Sequence, residues 1–177
     1  MFGRRDKPPA KLRPALERSE RVLAWARTAE DASLVVVVTN LGLWLPGRSR
    51  LGWHQIHKAT WSGSRLTVIP STPVGEGVGA DGSAYTVTVD DAPVQVNLTD
   101  PDKVPFTVRQ RVTNSVAYTG HYPMPAGGVR VVARRVAGVD GAAWHVRYDD
   151  GTDATDPDVI AFTAEIVAEA AAPMRPE

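Results

Sequence analysis

The 177-residue sequence contains no cysteine. Disulfides, thiolate catalysis and cysteine-ligated zinc are therefore outside its chemistry. No apolar run approaches the ~18 residues that a membrane-crossing helix needs. The first eleven residues carry positive charge, but no apolar segment follows, so they do not read as a secretory signal. A cytoplasmic location is the default expectation. Lysine is scarce, with four Lys against sixteen Arg. Catalytic signatures are scarce too. No G-x-S-x-G and no GxxxxGK occurs, and the four histidines stand in no recognised triad context. The expectation is a protein that is not an enzyme and uses no cofactor.

What is present is enough apolar material for a core, at 43% hydrophobic residues. Formal net charge is zero but unevenly spread. Residues 1–21 hold seven Arg and Lys against three acids, and residues 138–177 hold nine acids against two Arg. A nucleic-acid binder would be basic overall, so no nucleic-acid partner is expected.

The pattern along the chain is mostly period two. Segments 22–27, 34–38, 41–45, 53–61, 65–69, 84–89 and 94–98 read as seven strands separated by turn residues. The continuous apolar run Leu34–Val38 suits a strand covered on both faces. Leu12 and Leu16 suggest a short helix over 10–20, and the four glycines of 71–83 suggest a mobile loop. Thr99-Asp100-Pro101 is a helix-start signal. Val104, Val108, Val112 and Val116 follow at intervals of four, forming one apolar ridge about 18 Å long. Gly120 and Pro123 are expected to end that helix. A second unit follows, with a hairpin of 129–136 and 144–148 and a last helix over 158–171 capped by Asp156. The domain expectation is a disordered lead-in 1–9, a β-rich domain 10–120, a hairpin-plus-helix appendage 121–172 and a disordered tail 173–177.

Seven strands followed by one amphipathic helix resembles the pleckstrin-homology (PH) order. The local sequence is similar to bacterial PH-like modules: Glu20 before Val22-Leu23-Ala24-Trp25, then VVVVTNLGLWL, then WHQIHKATW and RLTVI. The resemblance covers about residues 10–120. It implies a mainly β fold, two packed sheets or a partly open barrel of seven strands closed by one helix. It also implies binding of phosphoinositide, peptide or protein, or a role in assembly. The first strand–strand turn, Arg27 to Asp31, carries two acids that would repel a phosphate. The arginine-rich, lysine-poor composition resembles proteins of high-GC, actinobacterial genomes.

Candidate partner-binding residues are Trp53, His54, His57, Lys58, Trp61, Arg109 and Arg111. A polar strand rich in tryptophan suits an interface, while Trp25 and Trp44 are expected in the core. His54 and His57 are spaced i, i+3, which places them on opposite faces of a strand, so they chelate one ion only in a turn or helix. The acids Asp149, Asp150, Asp153, Asp156 and Asp158 do not match an EF-hand and suit a turn and a helix cap. Arg130, Arg134 and Arg135 read as a solvated face. The leading expectation is a non-enzymatic binding or scaffold module for an unknown protein partner, with a homo-oligomer as one form of it. Peripheral attachment to a membrane through the basic N-terminus is an alternative. A small metal-dependent hydrolase using His145 and the 149–158 acids is another.

Overall fold

Alternating apolar residues and punctual turns produce eleven strands and two α-helices in the computed structural model, which describes residues 7–175. Most of the expected lead-in, residues 1–6, and residues 176–177 of the expected tail lie outside the described residues. The described ends are tied down. Pro8 is buried and its carbonyl accepts from Arg13 Nη2 at 3.1 Å. The tail continues as a 3-10 turn, Ala172–Met174, and Arg175 pairs with Asp81.

Contacts divide the chain into two compact units. The first comprises residues 1–70 and 91–115, the second residues 71–90 and 116–177. The linear division into 10–120 and 121–172 is not how the contacts fall, because Ser71–Asp90 groups with the C-terminal residues.

In the first unit the strands are β1 (Val22–Thr28), β2 (Val35–Thr39), β3 (Gly42–Trp44), β4 (Leu51–Gly52), β5 (Ile56–Ser62), the first part of β6 (Arg65–Val78) and β8 (Val94–Thr99). Their order is β4-β3-β2-β1-β8-β6-β5, all antiparallel, and α1 (Val104–Ser115) follows β8. The core gathers Ala24 and Ala26, Val36 and Val38, Leu43, Ile56, Leu66, Val68 and Leu98, with Val104 and Val108 of α1. As the apolar run requires, Val36, Val37 and Val38 are all fully buried. The second face of β2 shares a shallow cleft with Leu12 and Pro14 of the preceding segment.

That segment is where the helix over 10–20 was expected. Only Ala10–Leu12 turns, as 3-10 helix, and Arg13 is extended at ψ 131°. Pro14 explains the stop, since a residue before proline avoids the helical region. The segment ends at Glu20, whose carboxylate is the buried hub of this corner. Its Oε1 accepts from Thr39 Oγ1 at 2.7 Å and Trp44 Nε1 at 2.9 Å. Its Oε2 accepts from Arg50 Nη1 at 2.8 Å and from the Glu17 amide at 3.1 Å. Burial pushes the Glu20 carboxyl up, but these donors outweigh burial and hold it below its ordinary value.

Two further expectations are corrected here. Val116 is not on α1: the helix ends at Ser115, whose hydroxyl bonds back to the Val112 carbonyl at 2.7 Å, and Val116 opens the next strand. The apolar ridge is therefore shorter than four valines. Segment 71–83 is not a mobile loop through its length, because β6 runs on to Val78.

In the second unit the order is β6 (residues 71–78), β7 (Ala84–Asp90), β11 (Ala143–Tyr148), β10 (Gly128–Arg134) and β9 (Val116–Pro123). All pairings are antiparallel except β7 with β11. Of the four glycines expected in a loop, Gly75 and Gly77 lie in the β6–β7 ladder, while Gly79 and Gly82 lie in the turn after it. A side chain at Gly77 would collide with the ring of Tyr85, which crosses the strand there. Strand β9, including Gly120 and Pro123, replaces the expected helix end. The helix α2 (Pro157–Ala171) starts as expected, with Asp156 accepting from the Asp158 amide at 2.9 Å. Its Ile166, Val167 and Ala170 cover Val129, Val131, Val146 and Tyr85. On the same core, Tyr118 and Tyr122 share a 2.5 Å hydroxyl contact, which with burial pushes the Tyr122 hydroxyl up to about 12.

Glu20 generates a pH prediction. Its folded-state value is depressed, so its contribution to stability is fully present above the unfolded value near 4.5 and is lost as pH falls through the folded value. Urea midpoints measured from pH 6 down to pH 3 are expected to fall in that window. The Glu20→Gln variant is expected to be less stable at pH 6 and to show a shallower fall.

Candidate functional site

The sequence-predicted site residues sit on three elements of the first unit: a 3-10 turn, β5 directly after it, and α1. Residues Trp53–Gln55 form a 3-10 turn, not the start of a strand. The Gln55 side chain holds it by accepting from the Gly52 amide at 2.8 Å. β5 begins only at Ile56, and the ladder with β6 shifts between Ile56 and Lys58, leaving His57 in a bulge. The bulge resets the alternation. After it, Ala59 and Trp61 pack against the core while Lys58 and Thr60 are exposed.

Trp53 does not belong to a surface. It is 6% exposed, lies in the core of the first unit, and donates from Nε1 to the Thr39 carbonyl at 3.1 Å. Trp25 and Trp44, expected in that core, are only half-buried. The reason is strand alternation. Ala24 and Ala26 take the inner positions of β1, and Leu43 takes that of β3, so the tryptophans beside them point the other way. Trp25 instead lies under Arg27, whose Cζ is 5.9 Å from the ring centroid. His54 and His57 stand on the 3-10 turn and in the bulge, both half-buried. Among the described residues, no three His, Asp or Glu side chains converge as metal ligands do.

Trp61 and Arg109 are brought together. Between β5 and α1 runs a groove of about 450 Å³. Leu66 and Val108, both fully buried or nearly so, form its floor. Ala59, Thr60 and Trp61 line the strand side. Pro105 and Phe106 line the helix side, and exposed Arg109 stands at the lip. Phe106 is 69% exposed. Arg111 is half-buried and does not line this groove. β5 pairs with β6 along one edge, and among the described residues no strand pairs with the other. An unpaired edge presents a row of backbone donors and acceptors to an added chain.

Phe106 is the groove residue that the spacing argument passed over. Its signal was available: it is an aromatic residue two positions from Val104 and from Val108, off the valine ridge, where a solvated helix face would carry a polar side chain.

In the second unit, three of the five acids considered for metal binding are used locally. Asp149 Oδ2 lies 2.6 Å from His121 Nε2, Asp153 accepts from the Thr155 amide and hydroxyl, and Asp156 caps α2. His145 lies on β11, half-buried. Arg134 is buried on β10, not part of a solvated face, whereas Arg130 and Arg135 are exposed.

No protein-family model, curated protein or solved structure matches the chain. No helix among the described residues is long and apolar enough to cross a membrane.

The two tryptophans are expected to separate by mutation. Trp53→Ala removes a buried ring and strands the Thr39 carbonyl, so chemical denaturation is expected to register a loss of about 3–5 kcal/mol. Trp61→Ala, at a half-buried wall, is expected to lose less than half of that.

Proposed function

We propose that the chain is a non-enzymatic binding module that recognises a protein segment through the free edge of β5 and the groove beside α1. The observation that carries this reading is the pairing of an unpartnered strand edge with an apolar groove whose Phe106 is 69% exposed. Large exposed apolar side chains gathered at a groove mark interaction surfaces. An added strand gains affinity from main-chain hydrogen bonds and specificity from a side chain seated in the adjoining pocket. The groove offers carbon surface, one guanidinium and backbone amides, which is equipment for recognition. A general acid–base pair or an activated nucleophile would be needed for catalysis, and nothing lining the groove supplies one.

The PH-like reading belongs to the same proposal. What supports it is strand order: seven strands precede α1 in the first unit when the two-residue β4 is counted and the expected strand 84–89, which groups with the second unit, is not. Membership in a bacterial PH-like family is part of the same proposal, supported by the sequence motifs around Glu20 and the VVVVTN strand, and an actinobacterial source is proposed from the arginine-rich, lysine-poor composition.

The test is capture of binding proteins by the full-length chain, quantified by mass spectrometry, with a point variant in the groove. Phe106→Asp changes an exposed side chain and is expected to alter stability by less than about 0.5 kcal/mol. It is expected to abolish capture of a partner that the unaltered protein retains. Retention of every partner by a correctly folded Phe106→Asp variant removes the groove from the function.

A further inference from the structure

The groove carries charge of one sign. β5 contributes Lys58 and α1 contributes Arg109 and Arg111, and neither element contains Asp or Glu. Of the lining residues only Arg109 is charged. Three arginines elsewhere are answered by carboxylates: Arg50 by Glu17 and Glu20, Arg147 by Asp90, Arg175 by Asp81. Among the described residues no carboxylate answers Arg109. A guanidinium left unpaired at the lip of an apolar groove complements a ligand that brings both a carboxylate and an apolar side chain.

We infer that the segment bound at this groove is acidic. It lies extended along β5, seats one large apolar side chain against Trp61 and Phe106, and places an Asp or Glu carboxylate on Arg109. This rests on the reading of the groove as a protein-binding site and adds the chemistry of the partner. A nucleic-acid strand fits less well. A phosphodiester backbone has no N–H groups for the open carbonyls of a strand edge, and two or three cations are few for neutralising phosphates. A second copy of this chain also fits less well. The acid-rich stretch 149–158 is committed to turns, to His121 and to the cap of α2, so it does not offer an extended acidic strand.

Fluorescence anisotropy on the full-length protein tests this with labelled peptides of nine residues. One peptide has a central Phe flanked by Glu, one has the same Phe flanked by Lys, and one has Ala in place of Phe between Glu residues. The Glu-flanked Phe peptide is expected to bind at least tenfold more tightly than either of the others. The Arg109→Glu variant, which changes an exposed residue, is expected to lose about tenfold for that peptide and to gain affinity for the Lys-flanked one. Equal binding of the Glu- and Lys-flanked peptides overturns the acidic partner and leaves the groove reading intact. So does the absence of any peptide binding in a protein whose captured partner is still lost in Phe106→Asp. Tighter binding of a single-stranded oligonucleotide at the groove, or self-association abolished by Phe106→Asp, overturns the acidic peptide in favour of that occupant.

Discussion

The burial of Val104 and Val108 in the core of the first unit is the contact on which the candidate site depends. Both are fully buried, and each such side chain is worth about 1.5–3 kcal/mol of transfer free energy. Little else favours α1. Five of its twelve residues are β-branched, its first turn has no acid and its last turn no base. A helix of this length is marginal in isolation even with better residues. The groove exists only while α1 stands beside β5. Two valines therefore hold the helix side of the groove, and they do so from its floor, where Val108 itself contributes.

A second constraint acts around Glu20 in the same unit. Glu20 brings a charge into a buried corner, which would be costly without partners. Its two carboxylate oxygens receive Thr39, Trp44, Arg50 and the Glu17 amide, which join the lead-in segment, β2, β3 and the residue before β4 around one group. The segment over residues 7–20 has almost no regular hydrogen bonding of its own. The carboxylate, with Asn40 accepting from the Arg21 amide and donating to the Ser19 carbonyl, sets where that segment enters β1. Entry at that point pairs Val22 with Thr39, and the register shift between Val22 and Ala24 then sets Ala24 opposite Val38.

These relations divide what the sequence disclosed from what it did not. Period-two alternation located β1, β3, β7 and β8 to within a residue or two, because one buried face imposes that period; the continuous apolar run located β2, and the hairpin pattern located β10 and β11. The Asp156 cap located α2 because capping is a local interaction. Misreadings arose where distant residues decided. Gly75 and Gly77 read as loop until Tyr85 is known to cross Gly77. Val116 continued the helical spacing, and only its partner on β10 makes it a strand residue. Trp53 stood among the interface candidates with its exposure open, and a 3-10 turn swings it inward to Thr39. At the site, the sequence placed Trp61 and Arg109 among the candidates but not together. Their meeting depends on a helix 43 residues further on packing beside β5, and local patterns carry no information about that.

The difference between β5 and the other open edges bears on why this surface suits recognition. An unpaired strand is a hazard that proteins blunt with proline, charge, bulges and irregularity. The outer stretch of β6 carries Pro73, a register shift at Val74 and Glu76 within a few residues. β9 has Gly120 at its middle and ends in Pro123. β5 has its bulge and its lysine at the very start, and from Ala59 to Ser62 it is regular, with no proline, glycine or acid. That regular stretch lies directly against the groove. The devices that would deter a strand from pairing are absent beside the groove, and in the proposed reading Phe106 and Arg109 on the helix supply the selectivity. On that proposal edge and groove divide the work: the backbone of β5 would take an extended chain, and α1 would restrict which side chains accompany it.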